Sequence, residues 1–122
     1  MPKRVLLAED EPNIAELLRF LLGRAGFIVD AETDGEAALA AALAGQPAVV
    51  ILDVMLPGLD GLEVLRRLRA DPRGRELRTI VLTAKGQRAD RQAAIDGGAD
   101  LFITKPFSND ELIAAVRRLA DA

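Results

Sequence analysis

Five short apolar runs alternate with stretches of helical periodicity along this chain, and that alternation limits the fold more than any other feature. The runs are Val5-Leu6-Leu7-Ala8, Phe27-Ile28-Val29, Ala48-Val49-Val50-Ile51-Leu52, Thr79-Ile80-Val81-Leu82 and Leu101-Phe102-Ile103. Most are continuous rather than alternately polar and apolar, the pattern of parallel strands covered on both faces. Between them, Ile14, Leu17, Leu18, Leu21, Leu22 and Ala25 recur with the spacing of one helical face. Leu62, Leu65 and Leu68 do so more briefly, as do Leu112, Ile113, Val116, Leu119 and Ala120 near the end. Thr33, Asp60 and Ser108 each set a capping oxygen three residues ahead of a Glu. Pro12 suits a first helical turn, and Gly26, Gly45 and Gly97-Gly98 mark stops.

Each strand is thus followed by a helix. Right-handed crossovers turn such a repeat into a parallel sheet with helices on both faces. A closed barrel takes about eight units, so five leave the sheet open. With 122 residues and neither linker nor low-complexity stretch, the chain reads as one domain over residues 1–122. The helix expected between Arg88 and Asp96 has little to bury: Ala89, Ala93, Ala94 and a single large residue, Ile95. It belongs among the least stable elements.

Composition removes whole classes of chemistry. The chain has no Cys and no His, which excludes disulfides, thiolate or imidazole metal sites, Ser-His-Asp triads and any histidine base. A net charge of −3 offers no general attraction to nucleic acid or anionic lipid. The arginines from Arg66 to Arg78 are interleaved with Glu63, Asp71 and Glu76 and lack aromatic neighbours, so they read as a solvated face. No signal peptide or membrane-length apolar stretch is present, and the expected location is cytoplasmic.

The informative residues gather where the apolar runs end. The first meets Glu9-Asp10-Glu11, the third Asp53, the fourth Thr83, and the fifth is followed by Lys105. In an open parallel sheet those carboxyl ends share one edge, and ligands sit where the strand order reverses. If the first and third strands are neighbours there, Asp10 and Asp53 face each other with Glu9 beside them. Crowded carboxylates repel, and a hard divalent cation relieves the conflict; all-oxygen ligation points to Mg2+. A carboxylate nucleophile, a cation, a hydroxyl and an ammonium together suit a phosphoryl group. Taken singly, each residue has an ordinary explanation as an acidic turn, a strand end or a surface side chain. Their joint placement does not.

With those residues in view, the chain resembles the response-regulator receiver domains, the CheY-like family of two-component signalling and phosphorelays. The resemblance runs the length of the chain. It rests on Glu9-Asp10, Leu52-Asp53-Val54-Met55-Leu56-Pro57-Gly58, Asp60-Gly61, Val81-Leu82-Thr83-Ala84, Gly98-Ala99-Asp100 and Thr104-Lys105-Pro106-Phe107. It implies a flavodoxin-like sheet of order 2-1-3-4-5 and a phosphoryl acceptor at Asp53. It further implies Mg2+ held by Asp10, Asp53 and the Met55 carbonyl, with Glu9 acting through water. Thr83, Lys105 and the N–H groups of Val54 and Ala84 would bind phosphoryl oxygens. Thr83 and Phe102 would move together as the switch, and the Lys105-Pro106 bond would be cis. The resemblance implies a histidine kinase or histidine phosphotransfer protein as donor; having no histidine of its own, the chain takes the group from another molecule or from a small phosphodonor such as acetyl phosphate. The output would be a downstream protein or a covalently linked domain, with no direct nucleic-acid binding by this domain. A phosphorylation-dependent homodimer is implied through the fourth helix, fifth strand and fifth helix. Arg91 and Glu111 match one of its charge pairs, while Leu101 and Ala115 depart from the usual acid and base.

The family pattern carries no enzymatic role beyond self-phosphorylation and autodephosphorylation. Two other readings of the same residues are weaker. A haloacid-dehalogenase-type phosphatase places a second Asp two positions after its nucleophile, where this chain has Met55. A flavodoxin-like FMN binder needs a phosphate-cradling loop after its first strand, where this chain has Glu9-Asp10-Glu11.

Overall fold

A computed structural model describes residues 2–84 and 86–121; Met1, Lys85 and Ala122 lie outside the described residues. Strands β1 (Arg4–Ala8), β2 (Ile28–Glu32), β3 (Val49–Asp53), β4 (Arg78–Thr83) and β5 (Leu101–Thr104) alternate with helices α1 (Pro12–Arg24), α2 (Gly35–Gly45), α3 (Gly61–Ala70), α4 (Arg88–Asp96) and α5 (Asn109–Ala120). The five strands form one parallel sheet in the order β2-β1-β3-β4-β5. The expected open, doubly wound α/β architecture is therefore the observed one.

Successive strand residues point to opposite faces, and the core divides accordingly. Leu6, Ala8, Val50, Leu52 and Val81 pack with Ala38, Ala42, Val64, Leu65, Leu68 and Ala94 under α2, α3 and α4. Val5, Leu7, Val49, Ile51, Ile80, Leu82 and Ile103 pack with Leu18, Leu22, Leu112 and Val116 under α1 and α5. β3 is buried at every position, as a central strand should be.

Tertiary context moves several local expectations. β2 starts at Ile28 rather than Phe27 and runs on through Asp30 and Glu32, because it is an edge strand registered against Arg4–Ala8. Asp34 rather than Thr33 caps α2, accepting a hydrogen bond from the Ala37 N–H at 2.8 Å. Asp60 and Ser108 cap α3 and α5 as expected, accepting from the N–H of Glu63 and Glu111. α2 continues through Gly45, and Gln46 takes the left-handed turn at φ 49. Leu17, part of the apolar stripe of α1, stays 49% exposed, whereas Leu18 and Leu22 of the same stripe are buried.

The arginine cluster also needs correction. Arg69 is no solvated side chain. Its guanidinium donates to the carbonyl oxygens of Gly74, Leu77 and Gly98, to Thr79 Oγ1 and to Asp100 Oδ2. It thereby ties the end of α3 to the start of β4 and to the α4–β5 turn. Arg66 and Arg67 do face solvent, paired with Glu63.

Candidate functional site

Parallel register brings the acidic residues together. Ala8 pairs with Leu52 across β1 and β3, so the residues that follow, Glu9 and Asp53, leave the sheet side by side. The order reverses between these two strands, since β2 lies beyond β1 and β4 beyond β3. β4 and β5 deliver Thr83 and Thr104 as register partners at the same edge, and Lys105 follows at once. The Lys105 N–H donates to the Thr83 carbonyl at 2.7 Å, and the Lys105-Pro106 peptide is cis.

Asp53 is held from two sides while almost wholly buried, at 3% exposure. Its Oδ1 accepts from the Met55 N–H at 2.9 Å, and its Oδ2 accepts from Lys105 Nζ. Burial pushes this carboxyl upward, but hydrogen bonds involving Glu9, Lys105 and Met55 outweigh it and hold Asp53 below its ordinary value. Glu9 goes the other way. It is 1% exposed, its Oε1 lies 4.0 Å from Lys105 Nζ, and burial with Asp53 alongside pushes its carboxyl up to about 8. Glu9 Oε2 is buried with no hydrogen-bond partner. Such an orphaned oxygen beside an ionised neighbour is the mark of a site that wants a cation or a proton.

The donor set fits a hard divalent ion. Asp10 lies exposed at the mouth, next to Glu9 and just ahead of α1. Met55 is exposed in the β3–α3 loop and leaves its carbonyl open, as no described main-chain bond ends on it. Among the described residues no three acidic side chains form a closed cage. Main-chain oxygen and water would complete the shell, which Mg2+ accepts readily.

Glycine shapes the loop that follows Asp53. A Cβ on Gly61 would stand 2.3 Å from the Asp53 carbonyl oxygen, and the Gly61 N–H donates to the Val54 carbonyl at 3.1 Å. A Cβ on Gly35 would lie 1.8 Å from the Leu59 carbonyl oxygen, so α2 closes against the same loop. Gly61 was visible as part of Asp60-Gly61, whereas Gly35 carries no local signal because its neighbour is remote in sequence.

The remaining residues expected at the site fall at the same edge. Thr83 is fully buried and its Oγ1 sits 3.4 Å from Thr104 Oγ1, directed along the β4–β5 side. Ala84 follows it, exposed at the rim. The Val54 N–H donates to the Leu82 carbonyl at 3.1 Å, because the chain is still hydrogen-bonded to β4 there. The N–H that reaches Asp53 is that of Met55. Phe102 is half-buried on β5, with the Arg91 guanidinium 4.8 Å from its ring centroid. Arg91 and Glu111 are both exposed, on α4 and α5.

Comparison with known proteins agrees with this geometry. The family described as the response regulator receiver domain matches residues 5–117. The transcriptional regulatory protein TcrA of Mycobacterium tuberculosis is 47% identical over 117 residues, covering 96% of this chain and 46% of that protein. The response regulator MprA of Mycolicibacterium vanbaalenii is 43% identical over 119 residues, covering 98% of this chain and 51% of its own length. The chain thus spans about half the length of these curated relatives. Among solved structures, the receiver domain of the sensor histidine kinase PA1611 from Pseudomonas aeruginosa superposes with a TM-score of 0.92 at 30% identity, each chain covered completely. That crystal holds a magnesium ion coordinated in the active-site cleft.

Proposed function

The chain belongs to the response-regulator receiver domain family of two-component signalling, and from that premise we propose that Asp53 is its phosphoryl acceptor. The carrying observation is the setting of that side chain: buried, and gripped separately at Oδ1 by the Met55 N–H and at Oδ2 by Lys105. An oxygen of Asp53 attacks phosphorus, the bond to the donor's imidazole nitrogen breaks, and the imidazole leaves with a proton taken up from solvent. Lys105, which now neutralises Asp53, follows the charge onto the phosphoryl oxygens. Thr83 Oγ1 exchanges Thr104 for the same oxygens, and the Ala84 N–H donates alongside.

Asp10, Asp53 and the Met55 carbonyl would hold Mg2+, with Glu9 ionised and acting through water. The ion supplies charge neutralisation for the incoming group. Glu9's unpartnered oxygen supports this assignment. Met55 is 73% exposed and offers no carboxylate, so turnover on external phosphoesters has no acid to serve it.

The donor is a histidine kinase or a histidine phosphotransfer protein, as in the family; the chain contains no histidine and cannot supply a phosphohistidine itself. Residues 1–122 act as one cytoplasmic receiver unit whose chemistry is confined to accepting and losing this group. Its output is a linked domain or a docked protein, with Thr83 and Phe102 as the switch and Arg91 with Glu111 as one charge pair of a phosphorylation-dependent homodimer. Among the described residues no helix is long and apolar enough to cross a membrane.

Intact mass after incubation with acetyl phosphate and Mg2+ tests the assignment. Wild type gains one phosphoryl group, and Asp53→Asn or chelation of the metal abolishes the gain. An unchanged adduct on Asp53→Asn overturns the choice of acceptor.

A further inference from the structure

The ring of Phe102 lacks the hydroxyl that would let a tyrosine anchor itself to water or a partner at the surface, yet it sits half-buried at the rim of β5. What covers it is Arg91. From α4, the Arg91 guanidinium lies 4.8 Å from the ring centroid, within the range of a cation–π contact. On its inner side the ring packs against the cluster that contains Ala94, Leu65 and Val81.

We propose that Arg91 is a positioning residue that holds Phe102 in its half-buried place beside α4 in the unmodified protein, so that displacement of the ring and release of Arg91 are one event. α4 has few other side-chain ties. Ala94 is its one buried residue among those described, and Ile95, its single large apolar side chain, is 50% exposed. Its N-cap residue, Gln87, makes no side-chain capping bond. A contact that is minor on a well-packed helix is therefore a considerable share of what fixes this one against β5. Arg91 and Phe102 also lie on the side of the sheet toward which Thr83 Oγ1 points, through Thr104. Coupling is reciprocal: a carboxylate that draws the guanidinium off the ring favours the displaced ring, and the displaced ring frees the guanidinium. This inference rests on the reading of Asp53 as phosphoacceptor and of Phe102 as its switch.

Two measurements test it, and they fail separately from that reading. In the unmodified protein, the Arg91 side-chain protons carry an upfield ring-current shift that Phe102→Leu abolishes. Equal shifts in the two proteins overturn the latch whatever happens at Asp53. Arg91→Gln, which keeps helix propensity and length, then removes the restraint. Beryllofluoride with Mg2+, followed on backbone amide resonances, binds this variant about two- to fivefold more tightly than wild type, the range set by an exposed cation–π contact. Arg91→Lys, a weaker partner for the ring, falls between them. Equal affinities for wild type and Arg91→Gln overturn the proposal. Should wild-type resonances not respond to beryllofluoride at all, the phosphoacceptor reading fails, and the ring-current comparison alone decides whether Arg91 holds the ring.

Discussion

At the scale of single residues, the site is governed by how few charges are left uncompensated. Lys105 offsets Asp53, while burial and the neighbouring Asp53 raise the carboxyl of Glu9. Its carboxyl is raised from the ordinary 4.5 to about 8, so across that interval the folded, metal-free protein keeps a proton that the unfolded chain has lost. Stability then falls as pH rises through the same interval. Asp53 contributes with the opposite sign, and only at pH values below the ordinary carboxylate range. Urea midpoints in chelator at about pH 5 and about pH 8 should therefore drop for wild type, while Glu9→Gln flattens the difference. Mg2+ should restore the wild-type midpoint at the upper pH, because it favours the ionised carboxylate. A Glu9→Gln protein with the wild-type slope would show that Glu9 is not the titrating group.

At the scale of elements, two glycines make opposite predictions. Gly61 opens α3 against the carbonyl of Asp53, and a methyl there would need 2.3 Å of space already occupied by backbone oxygen. Gly61→Ala should cost about 1–3 kcal/mol by overpacking, and it should slow phosphorylation because the acceptor strand has to yield. Gly23 lies in the last turn of α1 with nothing within 4 Å of the added carbon. Gly23→Ala should stabilise by about 0.5–1 kcal/mol through helix propensity. Thermal unfolding with an acetyl phosphate time course separates the two. The periodicity of α1, α3 and α5 was plain in the sequence, as were the caps of the latter two. The cap of α2 was not: Thr33 and Asp34 are both competent oxygens, and it is Asp34 that stands as the last extended residue before the helix.

At the scale of the whole molecule, Arg69 fastens the N-terminal edge of β4 to the turn before β5, the edge opposite the candidate site. Its side chain is 19% exposed and that of Asp100 26%, so their pairing is shielded from solvent far better than that of Arg66 with Glu63. Arg69→Met should lose about 2–3 kcal/mol, as several carbonyls and a carboxylate lose a charged donor together. Arg66→Met should leave the urea midpoint near wild type, since Glu63 retains Arg67 and the pair faces water. Equal losses in the two variants would mean that Arg69, like its neighbours, only decorates the surface. In sequence the two arginines are alike, each in the same basic run. Distinguishing them requires knowing that residues 98–100 return to the end of α3.

The sequence by itself determined what local physics can carry. Strand and helix alternation follows from apolar spacing, and an open parallel sheet follows from five such units. The gathering of Glu9, Asp10, Asp53, Thr83 and Lys105 at one edge follows from strand ends in a parallel sheet, whatever the details of packing. Tertiary structure decided which groups actually meet: the Met55 N–H with Asp53, Gly35 against Leu59, Arg69 across two loops, Arg91 over Phe102. Each of these depends on ångström-scale approach between segments distant along the chain or on which side a main-chain N–H faces. Periodicity records only which way a side chain points, and so it holds no trace of either.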